Sequence, residues 1–267
     1  MGVLNLTPDS FSDGGRYSDD GAAQARIDQL LAEGADIIDV GGESTRPGAE
    51  PVSAEAQLAR IEHAIVYAAR ERRALVSVDT TLPEVAERAT ALGASIVNDV
   101  SCLADERLAT VTAAAGATLI LMHARGPMTA MRGFSDAPGD AYEDVVADVA
   151  REWCAARERA TDAGLDASEV VFDPGLGYMK NASHSLELIQ RLHEFAALGA
   201  PLLVGPSRKS FIAKAEGSSA GPAERLGGTI AACLACTQRG ATILRVHDVR
   251  EVRQALNVQR AIELGHA

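Results

Sequence analysis

The chain has 267 residues, 47% hydrophobic, 4% aromatic and 23% charged, which supports one large core or two modest ones. Its formal charge of -12 excludes a general nucleic-acid-binding surface, which needs a basic face, but not a small anionic ligand held by a local basic cluster. No apolar run reaches the length of a membrane span and no cationic-plus-apolar leader opens the sequence, so a cytoplasmic protein with no membrane partner is expected.

In chain order, apolar runs of strand length alternate with amphipathic stretches of helix length. "GVLNL" (2–6) precedes a helical pattern over 19–34, and "ADIIDV" (35–40) precedes one over 52–73. "ALVSVD" (74–79) is followed by a pattern over 82–93, then by "SIVND" (95–99) and "TLILMH" (118–123). A long pattern over 142–164 leads to "EVVFD" (169–173), "PLLVG" (201–205) and "TILRVH" (242–247), with a last helical pattern over 249–265. All eight runs are rich in Val, Ile and Leu without clean alternation, as expected of parallel strands buried on both faces. Gly34, Gly93 and Gly164 each fall just before the next strand, where helices stop.

Eight strand–helix units predict an α/β fold, a single-domain (β/α)8 TIM barrel over residues 1–267. A doubly wound open sheet is the alternative, and the lack of a Gly-x-Gly-x-x-Gly turn after the first strand counts against it. Two long loops rich in Gly, Pro and Ser, 7–20 and 124–140, are expected to act as lids. Four cysteines are too few and too scattered for a disulfide scaffold. Cys233 and Cys236, in "GGTIAACLACTQRG", are expected as small buried helix residues.

A barrel carries its chemistry at the carboxyl ends of its strands. Read in order, those ends are Asn5, Asp39 before "GGESTRPG", Asp79, Asn98-Asp99, His123, Asp173, Ser207-Arg208-Lys209 in "GPSRKS", and Arg245 with His247 in "RVHD". Folding alone requires no such pattern. Asp79, Asn98 and Asp173 suit a flat heterocycle with adjacent N–H donors, because a carboxylate accepting two parallel N–H bonds is strong and directional. Arg46, Lys209, Arg245 and His247, cationic or potentially so, suit phosphate. "GGESTRPG" adds anion-cradling N–H groups and the hydroxyls of Ser44 and Thr45.

Other residues have plainer readings. Met122 is expected in the wall of the ring pocket, His123 as a satisfied polar residue at the mouth, and Asp99 as a hydrogen-bond acceptor. Arg208 is expected to point away and pair structurally, and Trp153 to pack in its helix. Asp39 and Glu43 either form salt bridges within the mouth or face a ligand. His63, His184, His193 and His266 carry no assignment.

The segments "GVLNLTPDSFSDGG", "IIDVGGESTRPGA", "SVDT", "VNDVS", "LMH", "DPGLGYMKN", "GPSRKSF" and "LRVHDV" resemble, in this order, the motifs of the bacterial dihydropteroate synthase family of pterin-binding barrels. The resemblance runs from the first residues to about Val249. It implies a transferase that joins 6-hydroxymethyl-7,8-dihydropterin diphosphate to p-aminobenzoate in folate biosynthesis. The bond to diphosphate would break early, leaving a cation delocalised into the pterin. By position it implies Asp79, Asp173, Lys209 and Arg245 as catalytic residues, with Lys209 beneath the ring and Arg245 stacked on it. Thr45, Asn98, Met122 and His247 would complete the pterin-diphosphate site. Phe11, Arg46, Pro47, Tyr178 and Ser207 would hold p-aminobenzoate, and Asn5 would attend Mg2+.

The resemblance also implies a homodimer paired through late helices, and sensitivity to sulfonamides. Two departures stand out: Pro206, where relatives often have Ala, Met or Val, and Tyr178, where several have Phe. A pterin-binding methyltransferase module and a non-catalytic pterin-binding paralogue are the alternatives. The first has no need of "STRPG", "SRKS" and "RVH" together. The second would be expected to lose some of Asn5, Arg46, Lys209 or His247, and all four are present.

Overall fold

In the computed structural model, which describes residues 1–7, 19–44, 50–126, 133 and 135–265, the apolar runs become parallel strands. β1 (Gly2–Asn5), β2 (Ile37–Gly41), β3 (Leu75–Asp79), β4 (Ile96–Asp99), β5 (Thr118–Met122) and β6 (Val170–Asp173) pair in chain order. β7 (Leu203–Val204) pairs with β8 (Ile243–Leu244). Two narrow seams complete the circle. At one, Leu202 bridges Phe172, whose N–H donates to Pro201 O at 2.9 Å. At the other, Gly2 bridges Val246, Val3 N donates to Val246 O at 3.1 Å, and Val246 N donates to Met1 O at 3.0 Å. Every strand therefore has two neighbours, which excludes the open doubly wound sheet.

Around the strands lie α1 (Asp19–Ala32), α2 (Ala54–Val66), α3 (Pro83–Leu92), α4 (Arg107–Ala114), α5 (Val145–Asp162), α6 (Ala182–Gln190), α7 (Ser210–Glu216), α8 (Leu226–Thr237) and α9 (Val249–Leu264). The architecture is the (β/α)8 barrel. α5 starts three residues later than its hydrophobic pattern because the Asp144 carboxylate accepts the N–H groups of Val146 and Ala147, a cap that fixes the first turn. Gly34, Gly93 and Gly164 take positive φ at the helix stops. At Gly93 a Cβ would lie 2.9 Å from Ala69 Cβ, so bulk is excluded there as well.

The period of two along each strand sorts side chains into three places. Leu4, Ile38, Val40, Val76, Val78, Val97, Leu119, Leu121, Val170, Phe172, Val204 and Leu244 face outward into the layer shared with the helices. Trp153 of α5 packs there, its ring 4.7 Å from Phe172 and its Nε1 donating to Leu121 O at 3.0 Å. Inside the barrel, Met1, Ile120, Val171 and Leu203, with Ile37, Ile96 and Ile243 against them, form an apolar floor. Two residues further along the same strands stand Met122, Asp173, Asp39, Asn98 and Arg245. The polar mouth is thus the next interior layer above a hydrophobic plug.

Cys233 and Cys236 are buried in α8, as expected. Of the two predicted lids, residues 8–18, 127–132 and 134 lie outside the described residues. The described end of the second loop returns to the barrel: Ser135 N donates to Gly177 O at 3.1 Å and Ser210 Oγ to Ser135 Oγ at 3.0 Å. Among the described residues, no helix is long and apolar enough to cross a membrane.

Candidate active site

The centre of the mouth is an ion-paired triad. Arg245, two residues above the floor on β8, donates from Nε to Asp39 Oδ2 at 2.6 Å and from Nη2 to Asp79 Oδ2 at 2.7 Å. Asn98 Nδ2 lies 3.5 and 3.4 Å from the two Asp39 oxygens. Asp39, Asp79 and Asn98 are all buried. Burial pushes the Asp79 carboxyl up to about 7 while Arg245 pulls it down and Asp39 adds repulsion. Burial opposes the charge on Arg245, but Asp39 and Asp79 more than offset it, so the guanidinium is held above its ordinary range. Of the two readings of Asp39, the structure shows the salt bridge. Among the described residues Glu43 makes no such bridge and braces the loop to α2, accepting Val52 N at 3.0 Å and Gln57 Nε2 at 2.9 Å.

Asp173 closes β6 and begins the loop "PGLGYMK". One oxygen forms the turn, accepting Gly175 N at 2.8 Å. That leaves Oδ2 outside the turn. Burial raises its pKa, against the Gly175 bond and the charges of Lys209 and Arg245. The turn needs glycine. Gly175 has φ +67, and a Cβ there would lie 2.2 Å from His123 O. The loop then delivers Leu176 O, which accepts from Lys209 Nζ at 2.6 Å, and the Tyr178 ring, whose centroid is 4.1 Å from that Nζ. Burial lowers Lys209 to about 7 while Asp173 pulls it upward. Met122, Val100, Ala124 and Tyr178 form a small apolar cluster at the same rim, so Met122 is a wall.

The third part lies after β7 and β8. Ser207 Oγ accepts from His247 N at 3.2 Å and lies 3.0 Å from His247 Nδ1. The pair ties the imidazole to the β7 loop through its Nδ1 edge. Burial, helped by Arg245 and Arg208, lowers His247 to about 4. His247 is thus neutral at neutral pH, which decides between the cationic and the potentially cationic readings of it. The Ser207 hydroxyl, expected on p-aminobenzoate, is committed to this pair. Arg208 has φ +60 and turns away to bond Asp248 from Nε at 2.9 Å, as expected. Pro206 removes one donor, yet its carbonyl still receives Lys209 N at 3.3 Å, so the turn survives the departure.

Asn5 ends β1 with its side chain exposed, and a Cβ at Gly41 would lie 3.5 Å from both Asn5 Oδ1 and Asp79 Cβ, so Gly41 keeps that gap open. Phe11, Thr45, Arg46 and Pro47 lie outside the described residues. Asp99 is an acceptor for its own loop, taking Ser101 N at 2.9 Å and Leu103 N at 2.6 Å. His123 is buried and satisfied behind the mouth, 3.0 Å from Glu152 Oε2. His184, unassigned from sequence, is structural: with Asn181 it forms the capping box of α6. Lys180 went unnoticed although it ends the quoted motif, because burial of a lysine leaves no mark in sequence.

Barrel, buried acceptors and guanidinium together define a site for a flat polar ring that carries an anionic group at one edge. The chain belongs to the pterin binding enzyme family, whose description "Pterin binding enzyme" fits residues 1–247. It is 41% identical over 261 residues to the dihydropteroate synthase of Escherichia coli K12, covering 98% of this chain and 90% of that protein. Its fold matches the Xanthomonas albilineans dihydropteroate synthase with 4-aminobenzoic acid at a TM-score of 0.90 and 40% identity, covering 98% of this chain and 92% of the other. A structure of the Xanthomonas albilineans enzyme in complex with 7,8-dihydropteroate matches at a TM-score of 0.86 and 36% identity, with coverage of 98% and 92%.

Gly175→Ala places a methyl group into the His123 carbonyl at a positive φ. It is expected to destabilise the protein by at least about 2 kcal/mol in urea unfolding, from strain plus the clash. Gly139→Ala, where a Cβ meets nothing within 4 Å, is the control and is expected to be near neutral.

Proposed function

We infer that this chain is a dihydropteroate synthase, condensing 6-hydroxymethyl-7,8-dihydropterin diphosphate with p-aminobenzoate to 7,8-dihydropteroate and diphosphate. The observation that carries the reading is the convergence of Asp79, Asn98 and Asp173 above one barrel floor, with Arg245 and Lys209 among them. Asp79 and Asp173 accept from the N–H edge of the pterin, and Asn98 completes the edge. As the methylene carbon–oxygen bond breaks, its electron pair leaves with diphosphate and positive charge spreads into the ring, where the two buried carboxylates stabilise it. The arylamine nitrogen then forms the new bond with its free lone pair and loses its proton to water. No strong general base is required. His247 and Lys209 face the diphosphate side. Arg245, held on two acids, stays charged across the working pH range.

Mg2+ belongs to this reading and would add positive charge at the departing diphosphate. Among the described residues no group of three or more His, Cys, Asp or Glu forms a metal cage. An ion held by Asn5 together with diphosphate oxygens and water suits magnesium, which usually relies on substrate phosphates. Phe11, Arg46 and Pro47 are proposed with Tyr178 to enclose p-aminobenzoate, and Thr45 to meet the diphosphate. The water-soluble substrates fit a cytoplasmic enzyme.

A homodimer through α8 and α9 is also proposed. A groove of about 530 Å³ runs between them, lined by Ile230, Leu234, Val258 and Ile262, and the last two are 55% and 75% exposed. Sedimentation at micromolar concentration is expected to show a dimer that Ile262→Glu converts to monomer.

The direct test is diphosphate release with Mg2+ and the pterin diphosphate. Release is expected to require p-aminobenzoate and to yield dihydropteroate. Lys209→Ala is expected to lower kcat/KM by about 10²-fold or more, and a sulfonamide to raise the apparent KM for p-aminobenzoate. Pterin binding without turnover would favour a methyltransferase module or a non-catalytic binder instead.

The pH dependence has a definite sign. Asp79 is raised to about 7, so it is ionised above that pH and protonated below it. Only the ionised form accepts on both oxygens. Affinity for a pterin without diphosphate is expected to fall by up to about tenfold per pH unit on acidification below this point. Asp79→Asn is expected to bind weakly and without that slope. A diphosphate-free probe avoids the opposite gain of charge on Lys209.

A further inference from the structure

Lys180, the last residue of "DPGLGYMK", is fully buried and has no part in the reaction described above. Its Nζ donates to Tyr178 O at 3.2 Å and to His123 O at 3.4 Å, and lies 2.9 Å from His123 Nδ1. With the ammonium donating to Nδ1, the His123 proton sits on Nε2 and bonds Glu152 Oε2 at 3.0 Å. Arg125 Nε holds the same Glu152 oxygen at 2.9 Å, and its guanidinium lies 3.8 Å from the Tyr142 ring centroid. Tyr142 Oη in turn donates to Met179 O at 3.2 Å.

This cluster ties two segments that flank the mouth: the end of β5 and the loop after β6. Burial lowers Lys180 to about 7 while Asp173 pulls it upward, and burying a lysine amine to join neutral carbonyls is a poor route to stability, since an apolar chain of similar length fills the space without desolvating a polar head. The loop it holds is the one that presents the Tyr178 ring and Leu176 O to Lys209.

We propose that Lys180 is a positioning residue for the arylamine half of the site. Its amine fixes the Tyr178 carbonyl to the end of β5, and so sets the direction of the Tyr178 ring. Asp79 and Asn98, which would read the pterin from β3 and β4, do not depend on this tie, and Asp173 at the end of β6 is held by its own bond to Gly175 N. The inference rests on the synthase reading for its kinetic consequence but not for its structural one.

The test compares wild type with Lys180→Met, which keeps length and volume but removes every donor. Amide hydrogen exchange of residues 175–179 is expected to quicken by about tenfold or more, and the KM for p-aminobenzoate to rise by a similar factor, while pterin affinity changes by less than about threefold. Glu152→Gln, a half-exposed change at the far end of the relay, is expected to move both readouts the same way by less, and it decides the matter if Lys180→Met does not fold. Unchanged loop exchange and unchanged KM would overturn the proposal. So would equal weakening of both ligands, the mark of general loosening. A wild type without turnover would sink the synthase reading alone, and loop exchange would then judge Lys180 by itself.

Discussion

The closed barrel imposes one constraint on which the rest depends: along each strand, the residue two places beyond a floor residue also points inward. Ile37, Ile96, Ile120, Val171 and Ile243 fill the base, so Asp39, Asn98, Met122, Asp173 and Arg245 have to meet above it. A one-residue slip in β2 or β3 would turn Asp39 or Asp79 into the helix layer and Val40 or Val78 into the mouth. Register and site are therefore the same fact. The apolar floor keeps water out from below, which strengthens each polar contact above it and makes each unpaired charge there costly.

That cost explains the contacts between the groups. Three carboxylates, Asp39, Asp79 and Asp173, share a buried mouth with Arg245 and Lys209. Arg245 bridges the first two, and Lys209 acts on the third. Removing one member of such a set leaves its partner charged and unpaired, typically a loss of about 3–5 kcal/mol. The arrangement holds acceptors in place before any ligand arrives, so little reorganisation is needed when positive charge develops on a bound ring. It also leaves Asp79 bonded by the guanidinium through one oxygen, Oδ2.

Much of this was legible in the sequence, for a physical reason. A parallel strand buried on both faces has to be apolar until the point where it meets solvent or ligand, so each polar strand end stands out. Asp79, Asn98, Asp173 and Arg245 were found that way, and the structure brings them together. What depends on tertiary contact was not legible. The neutrality of His247 follows from burial beside Arg245 and from a hydroxyl 40 residues away in sequence. The salt bridge of Asp39 spans 206 residues. Glu43 reads like a mouth acid but accepts from Val52 of its own loop and Gln57 of α2. Phe11, Thr45, Arg46 and Pro47 rest on the family pattern alone.

The loop after β6 shows how function can be layered onto a turn. Asp173 has two oxygens and two duties: one oxygen bends the chain by capping Gly175, and the other stays outside the turn. Because the bend is tight enough to need glycine against His123 O, the loop and the end of β5 form one wall. That wall carries Met122 and Tyr178 on its inner side and Lys180 with His123 behind it. In the proposed reaction such a wall would flank both substrates, which suits the release of a cation between them, since the arylamine has to reach the methylene carbon before water does. The buried ammonium at its back is then intelligible as a device for geometry, in a place where an apolar residue would have served stability better.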